Sequence, residues 1–143
     1  MTDKELELRH WLNRAFYADK KARALDAFVQ QCRERAEGLV RVSECNDKGK
    51  SSTSKNGTES ALLKLAEMEE KAEAQRTEAV RITAEIQDAI SRLCNDDLES
   101  VLINRYLNFL TIEQTAERMN YSPETIKRKQ RYAIEKLTPF DLV

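Results

Sequence analysis

The chain is 143 residues long, 34% charged and 41% hydrophobic, with three Gly and two Pro, a composition that favours an all-α protein of one or two small domains. A formal net charge of −1 excludes a global basic field, so any hold on nucleic acid has to come from a local patch or from several copies together. Three cysteines (Cys32, Cys45, Cys94) without CxxC spacing or a leader, a single histidine (His10), and no run of the roughly 18 apolar residues that a membrane span needs set three further expectations: no disulfide framework, no metal or cofactor site, and no membrane partner, in a protein of the cytoplasm.

From Asp3 to Ser43, positions spaced alternately three and four apart read Leu8, Trp11, Ala15, Ala18, Ala22, Leu25, Val29, Cys32, Ala36 and Leu39, all apolar. That is a heptad seam, which keeps one stripe of a long helix against a partner helix and leaves Lys20, Lys21, Arg23, Arg33, Glu34 and Arg35 in solvent. From about 44 to 60 the chain is rich in Ser, Lys, Asn and Gly without a large apolar residue, which predicts a flexible connecting loop. The same count then resumes over Leu65, Met68, Ala72, Gln75, Ala79, Ile82, Ile86, Ala89 and Leu93, with Gln75 the one polar member, predicting a second long helix from Ser60 to Cys94. Two helices of similar length joined by a loop predict a long antiparallel coiled-coil hairpin. Leu12, Phe16, Val40, Leu62, Leu63, Val80 and Ile90 lie off both seams, more apolar surface than a hairpin covers, and they predict association into a homo-oligomer, most simply a dimer.

Asn95-Asp96-Asp97 can cap a helix carrying Leu98 to Leu107, so the long helix is expected to break near Cys94, dividing the chain into a hairpin region, 1–94, and a C-terminal domain, 95–143. Thr111 with Gln114 makes a capping box opening a helix over Ile112 to Met119. Asn120 suits the left-handed position just past its end, and the apolar Tyr121 can fold back onto the helix it leaves. Ser122-Pro123 then opens a second helix, Ser as N-cap and Pro at the first helical position. Two helices joined this tightly predict a helix-turn-helix, the second helix being the reader of a DNA major groove. At 100° per residue, Ile126, Ala133 and Leu137 face the core with Gln130 and Ile134 on the flank, while Glu124, Lys127, Arg128 and Arg131 face outward. The expected DNA-contacting residues are Ser122, Glu124, Thr125, Lys127, Arg128 and Arg131. After Leu137, Thr138-Pro139 ends the helix, and Phe140 to Val143 forms a short apolar tail that packs back or meets a partner.

Thr111 to Leu137 resembles the C-terminal promoter-reading domain of primary bacterial sigma factors, region 4. The likeness is carried by the Thr111 start, Ala116, Met119, the turn at Asn120, Tyr121-Ser122, Glu124, Ile126, Ala133 and Leu137, and upstream by Leu98, Val101, Leu102, Arg105 and Tyr106. Asn120 departs from that family's usual Gly, and Lys129 from its more usual apolar residue. The whole layout resembles small phage-encoded transcription regulators with such a sigma-like helix-turn-helix. That resemblance implies double-stranded DNA as partner, transcription regulation of phage or mobile-element genes, RNA polymerase as a further partner, and a nucleoid-associated place in a bacterial host. Two other readings compete: a phage DNA-packaging component of the small-terminase kind, which usually puts its reader first, and a module whose hairpin binds a host protein. No nucleophile–base pair, paired carboxylates, Gly-rich phosphate loop or metal-ligand cluster is present in the sequence, so an enzyme is not expected.

Overall fold

A computed structural model describes residues 2–45 and 53–142, and among these every regular element is helical. In chain order they are α1 (Asp3–Leu12), α2 (Arg14–Cys45), α3 (Thr53–Ser91), α4 (Asp96–Leu102) running into a π-helical segment (Ile103–Leu107), α5 (Ile112–Met119), α6 (Pro123–Leu137) and a closing 3-10 turn (Thr138–Phe140). The predicted flexible loop is shortened from both sides, because α2 continues to Cys45 and α3 already begins at Thr53; its centre, 46–52, lies outside the described residues.

The single N-terminal helix expected from Asp3 to Ser43 is interrupted at Asn13. Thr2 and Glu5 close a capping box at its start. At the interruption the Asn13 N–H donates to the Arg9 carbonyl at 3.0 Å, and the Arg14 guanidinium takes the Trp11 carbonyl at 3.2 Å. A polar side chain thus occupies an acceptor that a continuous helix would use for its own backbone.

The described chain forms two compact units: one is Met1–Asp19 with Ala79–Val143, the other Lys20–Glu78. In the first, Leu8, Leu12, Ala15 and Ala18 share one buried core with Ile82, Ile86, Ile90 and Leu93, with Leu98, Leu102 and Tyr106, and with Ala133, Ile134 and Leu137. Leu12 and Ile90, whose off-seam positions argued for a partner chain, are fully buried within this unit. The ends of the seam helices are therefore part of the same body as the C-terminal helices. Phe16 and Val80 stay exposed, as do Leu62 and Leu63 of the other unit, while Val40 lies outside the residues whose side chains are described.

In the unit Lys20–Glu78, Ala22, Val29, Ala36 and Ala72 are buried, and Leu25, Cys32, Leu65, Met68 and Gln75 are half-buried. Asp26 pairs with Arg76, and Arg33 with Glu69 at 2.7 Å. Partner numbers fall in α3 as they rise in α2, so the two segments run in opposite directions. These exposed pairs fix register more than they stabilise, each contributing about 0–1 kcal/mol.

Around the C-terminal helices the caps form as the sequence chemistry requires. Asn95 Oδ1 accepts from the Asp97 and Leu98 N–H groups at 3.1 and 3.2 Å, Thr111 and Gln114 close their box, and Asn120 adopts the left-handed conformation at φ 59°. The Tyr121 N–H returns to the Ala116 carbonyl at 2.9 Å, satisfying an acceptor that the end of α5 leaves open. Asn tolerates this conformation and Ala does not, so Asn120→Ala is expected to cost about 1 kcal/mol and Asn120→Gly close to nothing, read as shifts in the urea midpoint.

Candidate functional site

The site is built on α6, whose two faces separate cleanly. Ile126, Gln130, Ala133, Ile134 and Leu137 are buried; Ile126 packs with Val101 and Ala116 in a second small core edged by Ile112 and Met119. This anchors α6 on α4 and α5 and turns its other side outward. Five cations and two carboxylates lie along α6, which makes it a net basic helix on a chain that is nearly neutral.

All six expected site residues lie at the start or on the outer part of this helix. Ser122 is the N-cap: its Oγ accepts from the Thr125 N–H at 3.2 Å and lies 2.8 Å from the Thr125 hydroxyl. Glu124 is exposed and stands 3.6 Å from the Lys127 ammonium, so one carboxylate partly offsets one cation. Arg128 and Arg131 are exposed and have no ion-pair partner among the described residues. Thr125 is half-buried and, with Arg128, lines a groove of about 560 Å³. Asn95, Asp97 and Leu98 supply the α4 side of that groove, and Lys129 and Tyr132 complete its α6 side.

Tyr132 and Lys129 were not among the expected site residues. Tyr132 is half exposed, with the Lys136 ammonium 5.1 Å from its ring centre. Lys129 ion-pairs with Asp97 and lies 5.0 Å above the Tyr121 ring, and the Tyr121 hydroxyl donates to the same Asp97 at 2.9 Å. Through its hydroxyl Tyr121 therefore reaches the start of α4, while its backbone N–H returns to α5. About two turns farther along, in the π-helical segment, Arg105 donates through Nε to the buried Gln130 side chain at 2.8 Å and through Nη1 to the Leu110 carbonyl at 2.6 Å. A lysine beside the core stripe was the available sequence signal, since such a charge needs a partner. Asp97, however, reads equally well as an N-terminal acid of α4.

The Lys129 hydrogen bond holds the Asp97 carboxyl below its usual range, with burial opposing it and the Tyr121 hydroxyl assisting. The same bond, from the other side, raises Lys129, and donation to Asp97 raises the Tyr121 phenol. A carboxylate lowered in the fold adds stability above its unfolded value of 3.8 and loses it as pH falls through the folded value; an ammonium raised in the fold adds stability below 10.5 and loses it as pH rises through its folded value. The tie is thus complete across the neutral range. In urea unfolding followed from pH 7 to pH 2, the stability difference between the wild type and Asp97→Asn should shrink below about pH 4, the usual carboxylate range.

Among the described residues no group of three or more His, Cys, Asp or Glu is placed to hold one metal ion, and no helix is long and apolar enough to cross a membrane. Residues 42–138, more than half of the chain, match a family model described as a protein of unknown function, DUF1492. No curated protein and no solved structure matches the chain.

Proposed function

We propose, from the premise that this chain belongs to the DUF1492 family, that it is a sequence-reading double-stranded DNA-binding regulator of phage or mobile-element transcription and not an enzyme. In this reading α5, the turn at Asn120 and α6 are a sigma region-4-like helix-turn-helix, with α6 entering the major groove. The observation that carries it is the division of α6: a buried stripe centred on Ile126 sets Lys127, Arg128 and Arg131 outward on one basic face, with Ser122, Glu124 and Thr125 at its leading end. Arg and Lys are the side chains that hold phosphates and pair with guanine edges, and the leading residues of a reading helix are those that meet base edges.

The middle unit is the dimerisation element in this proposal. A coiled-coil hairpin sealed largely by alanines, with Phe28, Leu62 and Leu63 exposed, gains cover from a second copy. Two readers on one dimer compensate by avidity for the low net charge. RNA polymerase as a second partner and a nucleoid-associated place in a bacterial cytoplasm follow from the sigma-like resemblance.

Selection of the full chain against a pool of duplexes with a randomised centre tests the proposal. Enrichment of one sequence, with affinity falling as salt rises, is the expected result. A pool that remains random after repeated rounds contradicts it.

A further inference from the structure

A reading helix has to meet the duplex in one rotation about its own axis, because a turn of one residue, about 100°, replaces one set of outward side chains by another. The buried stripe of α6 is aliphatic apart from Gln130, and apolar contact is non-directional. Directional contacts come from two side chains of the preceding segment. Asp97, at the start of α4, holds Lys129; Arg105, in the π-helical segment, holds Gln130. Positions 129 and 130 are adjacent in sequence and so lie about 100° apart around the helix, one on each side of Ile126. One tie is at the edge of the buried stripe and the other within it, and two directional ties about 100° apart oppose rotation of the helix.

Each of these two side chains also fixes a neighbour of α6. Asp97 accepts from Tyr121 in the α5–α6 turn, and Arg105 donates to the Leu110 carbonyl just before α5. Arg105 is presented from the wider turn that the Asn108 N–H closes on the Ile103 carbonyl at 2.9 Å, which leaves Tyr106 buried in the core. The ion pair has a second consequence: Lys129 is neutralised by Asp97, whereas its neighbour Arg128 has no such partner.

We infer that Asp97 and Arg105 are positioning residues that set the rotation of α6, and with it base selectivity, without touching DNA, and that Asp97 also withholds the Lys129 charge from phosphate. This inference rests on the DNA-reading function proposed above.

The test compares affinity for a duplex enriched from the randomised pool with affinity for its scrambled counterpart. Asp97→Ala is expected to lower that ratio about tenfold, the scale of one lost base-pairing contact. Its hold on the scrambled duplex should not weaken, and its salt dependence should steepen by about one phosphate contact as Lys129 is released. Arg105→Lys, which keeps the charge and loses the fork, should lower the ratio without that steepening. The exchange Asp97→Lys with Lys129→Asp should restore most of it. An unchanged ratio in both Asp97→Ala and Arg105→Lys would overturn the inference, and so would equal losses on both duplexes accompanied by reduced helix content in circular dichroism. A wild type that prefers no duplex would remove the DNA-reading function itself, and the positioning role with it.

Discussion

Replacing Ile126 with alanine is expected to destabilise the protein by about 2–5 kcal/mol, the usual cost of emptying a large aliphatic site in a packed core. Ile126 is fully buried, and its small cluster contains only Val101 and Ala116 as other buried members, so few side chains can move in to fill the space. The adjacent Lys127→Ala, on the outer face, should fall within about 0.5 kcal/mol of the wild type. Urea unfolding checks both, through a lowered midpoint at unchanged slope for Ile126→Ala. Equal effects at the two positions would mean that α6 does not present the faces described.

Replacing Arg128 and Arg131 together with alanine is expected to abolish preference for a selected duplex while leaving the fold intact. Both side chains are exposed and make no ion pair among the described residues, so stability should change by no more than about 0.5 kcal/mol per substitution. Each lost guanidinium contact to a base edge is worth about 1–3 kcal/mol of discrimination, so the pair lowers the preference by at least about thirtyfold. A preference that survives the double substitution would move the reading surface elsewhere, with the Thr125–Tyr132 side of α6 the next surface to probe.

The local chemistry of the C-terminal helices was legible in the sequence because it depends on neighbours. Thr111 and Gln114, Asn120, and Ser122-Pro123 each act within three residues of themselves, and the faces of α6 follow from helical spacing alone. What was not legible depends on partners distant in sequence. The 3,4 repeat looks the same whether Leu8 to Ala18 packs only on α3 or also on α6, so the seam could not reveal that the chain's two ends share a core. Leu12 and Ile90 looked surplus for the same reason: their cover comes from helices that the heptad count does not contain. The early start of α3 shows composition giving way to helix continuation through residues that form helix weakly but do not forbid it.

The ties onto α6 also lay beyond pattern reading. Asp97 and Lys129 are 32 residues apart, and Arg105 and Gln130 are 25 apart. Each has an adequate local explanation as a cap acid, a surface base or a flank amide, and the long-range pairing appears only once the helices are packed. The π-helical segment that presents Arg105 leaves no signature in INRYL, since one extra residue per turn is a response to packing and not a residue preference.

The most direct measurement is a fluorescence-anisotropy titration of the full chain with a labelled duplex enriched from the randomised pool, in the presence of scrambled competitor and at several salt concentrations. Saturable binding that withstands the competitor, weakens with salt and disappears in the Arg128→Ala, Arg131→Ala variant is the expected result. Binding to the enriched and scrambled duplexes with equal affinity at every salt concentration, or with the variant indistinguishable from the wild type, would contradict a reading role for α6.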